Sequence, residues 1–176
     1  MATVFSHVVA GFAISTVGNA PASRPRVFLA AALCAAAPDL DVVTVWFGVP
    51  WGHVLGHRGI THSLAFAALL ASVVTATAFR GRGRLGLWLV LFLATASHGV
   101  LDAMTNGGSG VAFFAPFDDA RYFLPWRPIP VSPIGVSRFF TQRGLDIMLA
   151  ELWLIWLPAA VLALVGLARG GCRRRV

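Results

Sequence analysis

The chain has 176 residues, of which 57% are hydrophobic, and its mean hydropathy is +0.77. This hydrophobic content exceeds the roughly 45–50% of soluble domains, so we expect one membrane-embedded domain over residues 1–176, with the lipid bilayer as its partner. The net charge is +7 and all fourteen basic residues are arginine, but they lie between apolar segments and at the C-terminus, a distribution that argues against a nucleic-acid partner.

The first two predicted helices are short. One runs from about Thr3 to Val17, and the next from about Val27 to Ala37, where Pro38 is expected to end it. A loop rich in Gly, Pro and Trp follows over residues 42–59. Both helices are shorter than the about 20 residues that cross a bilayer, so their ends are the least defined by the sequence.

Three further helices complete the predicted bundle. They run from about Ile60 to Phe79, from Leu85 to Ala103 and from Leu145 to Ala168. The segment from Met104 to Gly144 is rich in aromatic residues and proline and lacks helical periodicity, so we expect a surface lid there. The sequence therefore predicts an all-α, polytopic membrane bundle of about five helices, with this long loop between the fourth and the fifth.

Histidine and aspartate residues form four short clusters at the ends of these helices. Ionisable groups in apolar segments are costly, so by default they suggest a functional site. In an up-and-down bundle, all four clusters fall at one face of the membrane. The candidate metal ligands are His7, Asp39, Asp41, His57, His62, His98 and Asp102.

The order of these residues repeats weakly along the chain. Helices one and two carry His7, an arginine turn and Asp39, and helices three and four carry His62, an arginine turn and Asp102. Two such hairpins packed side by side would bring both histidines and both aspartates to a shared centre. Residue identity between the halves is too low to establish a duplication.

Arginine turns mark the opposite face of the bundle. They contain Arg24, Arg26, Arg80, Arg82 and Arg84, and the C-terminal tail adds Arg173 to Arg175. Short basic loops remain cytoplasmic, so the site is expected to face the periplasm or the cell exterior. The four arginines of the loop from Met104 to Gly144 lie on the site side and count against this orientation.

The spacing of His98 and Asp102 places both side chains on one helical face, one turn apart. One ion could bind both, although a buried histidine hydrogen-bonded to an aspartate has the same spacing. Asp39 and Asp41 would point to opposite sides of an extended segment. One could bind a metal while the other bridges a second ion or orients a histidine, or the pair could simply end a helix in a turn.

The densest polar group contains His57, Arg58 and His62. A helix cap at Thr61 or Ser63 is the alternative, but it does not explain two histidines and an arginine in six residues. Arg58 could bind an anionic group of the substrate, most naturally a phosphate, through two parallel hydrogen bonds.

Seven candidate ligands exceed the three or four that one zinc ion uses, so the count predicts two divalent ions, with zinc as the first candidate. Two adjacent ions activate a water molecule and stabilise a phosphoryl or acyl oxygen. Asp39 or Asp41 could accept the proton of that water. No Gly-rich phosphate loop, GxSxG motif or cysteine nucleophile competes with this interpretation. His53 is expected to be a surface residue.

The motifs PDLD at 38–41, HRGITHS at 57–63 and HGVLD at 98–102, with an early histidine, resemble the bacterial LexA-regulated inner-membrane family of metal-dependent hydrolases. The resemblance covers most of the chain. It implies a multi-pass protein of the bacterial inner membrane, related to zinc-dependent phospholipase C and single-strand nucleases. It also implies that the seven candidate residues bind or support metal ions and that the reaction is phosphoester hydrolysis.

The chain departs from the soluble relatives at their third zinc site. They use an N-terminal amine and a late histidine with an HxxxE motif, whereas no histidine follows His98 here. Asp146 or Glu151 on the last helix could substitute; the alternatives are a helix start for Asp146 and an interfacial position for Glu151.

We therefore expect a membrane-embedded, metal-dependent hydrolase that cleaves a phosphoester of a lipid or lipid-linked substrate. A metal-ion transporter or sensor is one alternative, and it requires further polar residues toward the arginine face. Helices three and four offer only hydroxyls there: Thr75, Thr77, Thr95 and Ser97. A non-catalytic structural membrane protein is the other alternative, and it predicts that no metal binds.

Overall fold

The computed structural model describes residues 1–18, 24–81, 83–133 and 139–172, and every regular element in this part of the chain is helical. The helices are α1 (Val4–Val17), α2 (Arg24–Ala36), α3 (Val42–Trp46), α4 (Leu64–Ala78), α5 (Arg84–Ala103), α6 (Gln142–Glu151) and α7 (Leu157–Cys172). Two 3₁₀ turns, Ala37–Asp41 and Ile60–His62, and one π-helical segment, Leu152–Trp156, lie between them. The predicted all-α bundle of about five helices is confirmed, since α6, the π-helical segment and α7 form one continuous helical stretch.

Hydroxyl caps fix two of the helix starts. The side chain of Thr3 accepts a hydrogen bond from the backbone N–H of Ser6, and that of Ser63 accepts one from Phe66. Such caps satisfy donors that the first turn leaves unpaired. As a result α4 begins at Leu64, four residues after the predicted start, and the HRGITHS segment is a 3₁₀ turn before the helix.

The prediction that the second α-helix ends before Pro38 is confirmed within one residue, since α2 ends at Ala36, but the chain does not become extended there. Proline lies at the start of the 3₁₀ turn Ala37–Asp41, where a missing N–H is tolerated, and helical backbone continues into α3. Pro25–Trp46 is therefore a single apolar helical stretch of 22 residues. Asp39 and Asp41 consequently lie in a tight helical turn and not in the extended segment that their spacing suggested.

Three helical stretches are long and apolar enough to cross a membrane: Pro25–Trp46, Arg84–Ala103 and Gln142–Arg169. The helices α1 and α4 are apolar but shorter. Chain direction places the starts of α1 and α4 and the ends of α2 and α5 at the same end of the bundle. This common end contains all four clusters.

Close packing around α1 brings those helix ends together. α1 contacts α2, α5 and α7, and α5 contacts α2 and α4. A Cβ atom on Gly11 would lie 2.6 Å from the Cβ of Ala35, and one on Gly166 would lie 2.5 Å from the hydroxyl of Thr16. Small residues at these crossings let membrane helices approach closely. The helix ends that carry the candidate ligands are thereby held at short range.

The predicted lid is an ordered cover in its described part. Val111, Ala112 and Ile129 are fully buried, or nearly so, against the rest of the protein. The backbone N–H of Ala112 donates to the carbonyl of Arg58 at 3.0 Å, and that of Leu124 donates to the carbonyl of Ala103 at 2.9 Å. Buried anchors and backbone hydrogen bonds fix the segment over the ends of α4 and α5.

The arginine side chains that the structure describes at the helix ends agree with the prediction of a basic face opposite the clusters. Exposed arginines lie at the ends of helices remote from the clusters: Arg26, Arg80, Arg84 and Arg169. The predictions for Arg82, Arg138 and Arg173 to Arg175 lie outside the described residues, as do the side chains of Arg24 and Cys172.

Candidate metal centre

Four side chains from three separate segments converge at the site end of the bundle. Ligand atoms of Asp39, His62, His98 and Asp102 all lie within 4.8 Å of one another. The last three are buried, and Asp39 is partly exposed, with 10% of its side chain accessible. Two imidazoles and two carboxylates form a donor set that suits zinc and similar divalent ions.

His98 has one ring nitrogen fixed by the backbone and the other directed at a carboxylate. Its Nδ1 lies 2.7 Å from the carbonyl oxygen of Ala35, which can only accept a hydrogen bond, so Nδ1 carries the proton. Nε2 therefore is the ring nitrogen left to bind a cation, and it faces Asp39 Oδ1 at 3.3 Å. Two acceptors that face each other at this distance repel unless a cation or proton lies between them. Metal-ligating histidines show this same arrangement of backbone partner and free nitrogen.

His62 is oriented in the same way by Asp41. Its Nδ1 lies 3.1 Å from Asp41 Oδ2, while its Nε2 lies 3.6 Å from Asp102 Oδ2 and 3.9 Å from Asp39 Oδ1. Burial alone would lower the pKa of His62, but the carboxylates of Asp102 and Asp41 outweigh it and raise the pKa to about 9. A proton on this ring therefore competes with any metal ion for Nε2.

Asp41 is saturated with hydrogen-bond donors. Besides His62, it accepts from Nδ1 of His57 at 2.7 Å, from the backbone N–H of Arg58 at 3.3 Å and from the hydroxyl of Thr61. Of the alternatives open for the aspartate pair, these contacts favour metal binding by Asp39 and orientation of the histidines by Asp41.

His57 belongs to a second group of possible ligands, together with Asp41 and His62. The two groups share His62, so ions in both would require its ring to bridge them. The Nε2 of His57 is buried and has no hydrogen-bond partner among the described residues. Because Nδ1 is bound to Asp41, Nε2 is the ring nitrogen that remains available for a further contact.

His7 lies against the first group without belonging to it. Its ring stacks on that of His98, with centroids 3.6 Å apart and planes at 13°, and its Nε2 lies 3.5 Å from Asp102 Oδ1. Neither of its ring nitrogens has a hydrogen-bond partner among the described residues. The position fits a supporting or additional ligand.

Arg58 is buried and holds Asp102. Its Nε lies 3.0 Å from Asp102 Oδ2, and its terminal nitrogens donate to the carbonyl of Gly107 and the hydroxyl of Thr105 at 3.0 and 2.9 Å. The residue has a φ of 63°, a backbone conformation uncommon outside glycine, which the surrounding contacts maintain. This geometry favours positioning of Asp102 over the predicted contact with a substrate phosphate, which stays a prediction.

Unpaired polar atoms are concentrated at this site. Among the described residues, the buried side-chain atoms without a hydrogen-bond partner include Nε2 of His62 and His98 and both carboxylate oxygens of Asp39. Buried polar groups are nearly always hydrogen-bonded, so such a cluster requires an explanation. A cation held between these imidazoles and carboxylates would provide one.

The remaining acids of the last helix do not join either group. Asp146 is exposed and accepts a hydrogen bond from Gln142 at 3.0 Å. Glu151 is fully buried and accepts from the backbone N–H of Thr3 at 2.7 Å, from the hydroxyl of Thr3 and from that of Ser6 at 2.6 Å. Glu151 thus fixes the start of α1, next to His7. His53 is exposed, as predicted.

Two supports of the site were not identified from the sequence. Thr105 binds Arg58, and the backbone N–H of Ala2 donates to Asp102 Oδ1 at 2.8 Å. A lone threonine and a backbone group have no distinctive pattern. Glu151 did have a distinctive pattern, since it is an acid within the long apolar stretch Gln142–Arg169.

The hydroxyls between the site and the arginine face do not form a polar path. Those of Thr77, Thr95 and Ser97 donate to carbonyls of their own helices. That of Thr75 is buried without a partner among the described residues. These contacts weigh against ion passage along the bundle.

Comparison with known proteins agrees with this architecture. The sequence profile of the YdjM inner membrane protein family matches residues 1–171. The inner membrane protein YbcI of Escherichia coli (strain K12) is 39% identical over 165 residues, which represent 92% of this chain and 95% of that protein. No solved structure matches the chain. With a family profile over nearly its whole length and three candidate spans, the chain belongs to the YdjM inner membrane protein family.

Proposed function

We propose that this protein is a metal-dependent hydrolase that cleaves a phosphoester. The proposed site holds one divalent ion, with zinc as the first candidate, and its ligands are Asp39, His62, His98 and Asp102. The observation that carries the proposal is the cluster of unpaired, buried imidazole nitrogens and carboxylate oxygens directed at one another within 4.8 Å. Such a cluster is costly in an apolar bundle, and a bound cation removes the cost.

Residues of this chain have separate roles in the proposed reaction. Asp41 and the carbonyl of Ala35 orient His62 and His98, and Arg58 orients Asp102. A divalent ion would supply a water of lowered pKa and stabilise negative charge on a phosphoryl oxygen. We assign proton acceptance to His57, because its Nε2 is free, whereas Asp41 is saturated with donors.

The count of one ion replaces the two that the number of candidate ligands suggested. The two possible groups share His62, so a single ion uses its ring without requiring it to bridge two ions. Stoichiometry measured on the purified protein separates these counts.

The substrate proposed is a lipid or lipid-linked phosphoester, and the site is proposed to face the periplasm. The site lies at one end of the helical bundle of an inner-membrane protein, and the ends of membrane-spanning helices lie near the lipid headgroups. The exposed arginines at the other end favour a cytoplasmic position for that end.

Hydrolysis should depend on the metal. We expect the purified protein to cleave bis(p-nitrophenyl) phosphate or a phospholipid in vesicles, to lose at least about 90% of that activity on dialysis against a chelator, and to regain it with zinc. The exposed-histidine variant His53→Ala is the matched control and should behave like the wild type. A protein that holds its metal but cleaves neither phosphoester would instead indicate a structural or sensory metal site, the strongest competing function.

Metal affinity should rise with pH. Because the pKa of His62 is raised to about 9, metal binding below that pH must displace one proton. The apparent affinity should therefore increase about tenfold per pH unit between about pH 6 and 8 and level off above pH 9. Competition with a chromophoric chelator across this range measures the slope. A flat profile would show that His62 is not a ligand.

A further inference from the structure

Asp39 is the proposed ligand that lies nearest the surface of the protein. Of the four proposed ligands, its side chain alone is measurably accessible, although both of its carboxylate oxygens are buried, whereas His62, His98 and Asp102 are fully buried. Elsewhere Ala2, Val111 and Ala112 are buried, Val111 and Ala112 in the cover. Asp39 and the segment that follows it therefore lie between the proposed site and its surroundings.

That segment exposes an unusual apolar surface. Leu40 is 73% exposed, Val43 40%, Trp46 76% and Phe47 83%, and α3 contains no buried residue. Three of these positions, Leu40, Val43 and Phe47, follow one another at helical spacing, so they form a stripe that begins beside Asp39. We call Leu40, Val43, Trp46 and Phe47 the entry stripe.

The entry stripe is continuous with a membrane-spanning surface. The apolar stretch Pro25–Trp46 ends in it, and aromatic residues at the end of a span typically lie at the level of the lipid headgroups. The surroundings of the entry stripe at that depth are lipid, and the phosphate of a glycerophospholipid lies in the same layer.

We propose that the entry stripe is the surface along which a glycerophospholipid leaves the bilayer and brings its phosphate to Asp39. The upper part of the acyl chains contacts Leu40, Val43, Trp46 and Phe47, while the headgroup reaches the proposed ligands. This inference rests on the proposed function for its catalytic consequence, but lipid contact at the stripe can be measured without turnover.

The test replaces the two most exposed aromatic residues together, in Trp46→Ser/Phe47→Ser. The matched control is Trp153→Ser, since Trp153 is 68% exposed and lies in the π-helical segment Leu152–Trp156, outside the entry stripe. Each protein is reconstituted in vesicles of phosphatidylethanolamine and phosphatidylglycerol that contain a phosphatidylglycerol with a diazirine near the top of one acyl chain. Photolabelled peptides are mapped by mass spectrometry, and hydrolysis of phosphatidylglycerol and of bis(p-nitrophenyl) phosphate is measured on the same preparations.

We expect labelling of the wild type to be enriched in residues 40–47 and to fall at least fivefold in the double variant. Hydrolysis of phosphatidylglycerol should fall about tenfold in the double variant, with bis(p-nitrophenyl) phosphate hydrolysis and bound metal unchanged, and Trp153→Ser should match the wild type. Enriched labelling without any hydrolysis would refute the proposed function and leave the lipid surface standing. Labelling that is uniform over the bundle, or equal loss of phosphatidylglycerol hydrolysis in Trp153→Ser, would each overturn the proposal.

Discussion

Replacing His98 by alanine is expected to lower bound zinc from about one equivalent per chain to less than about a tenth, and to abolish hydrolysis. The ring contributes Nε2, which lies 3.3 Å from Asp39 Oδ1 and is set by the hydrogen bond of Nδ1 to Ala35. Without it, three ligands remain and the stacking partner of His7 is lost. Elemental analysis after gel filtration measures the loss.

The control for this variant is His53→Ala, which removes an exposed imidazole outside both groups. It should retain full metal content and activity. Thermal unfolding in detergent shows whether His98→Ala is still folded. A folded His98→Ala protein with undiminished metal would remove His98 from the site.

Replacing Arg58 by methionine is expected to destabilise the protein by about 3–5 kcal/mol, because Asp102 would remain as a buried carboxylate without its cation. The guanidinium is buried and contacts Asp102, Thr105 and Gly107. Each of these three residues would lose a polar contact in the variant. For a chain of this length the midpoint of thermal unfolding should fall by roughly 10 °C. Measurement on metal-free protein avoids compensation by a bound cation.

Arg127→Met is the matched control, since Arg127 is exposed and lies 4.8 Å from the ring of Phe123. Its effect should remain within about 1 kcal/mol. Removal of the carboxylate as well, in Arg58→Met/Asp102→Leu, should recover part of the lost stability, because the double variant no longer buries the charge of Asp102 without its cation. If Arg58→Met unfolds like the wild type, Arg58 does not hold Asp102.

The location of the site could be predicted from a few residues of the sequence. Charged groups such as Asp102 in an apolar chain are rare, so their presence is informative. The spacing of His98 and Asp102 also fixed their common face, because α5 follows its predicted bounds within one residue. The weak repeat in the order of residues corresponds to cross contacts, in which His7 approaches Asp102 and His62 approaches Asp39.

Other features depend on tertiary contacts that local sequence does not specify. The second α-helix ends before Pro38 as expected, but a 3₁₀ turn accommodates the proline and continues into α3, which creates the entry stripe. Arg58 was expected to face substrate, whereas contacts from the cover, 47 and 49 residues away, turn it to Asp102. Separations of this length leave no signal in a local pattern.

The central claim is that Asp39, His62, His98 and Asp102 bind one shared cation. Zinc K-edge X-ray absorption on the purified, zinc-loaded wild type tests it most directly. We predict about one zinc per chain, coordinated only by nitrogen and oxygen at about 2.0–2.2 Å, with the multiple-scattering pattern of two imidazoles. A protein that retains no zinc after gel filtration, or whose zinc shows no imidazole scattering, would contradict the claim.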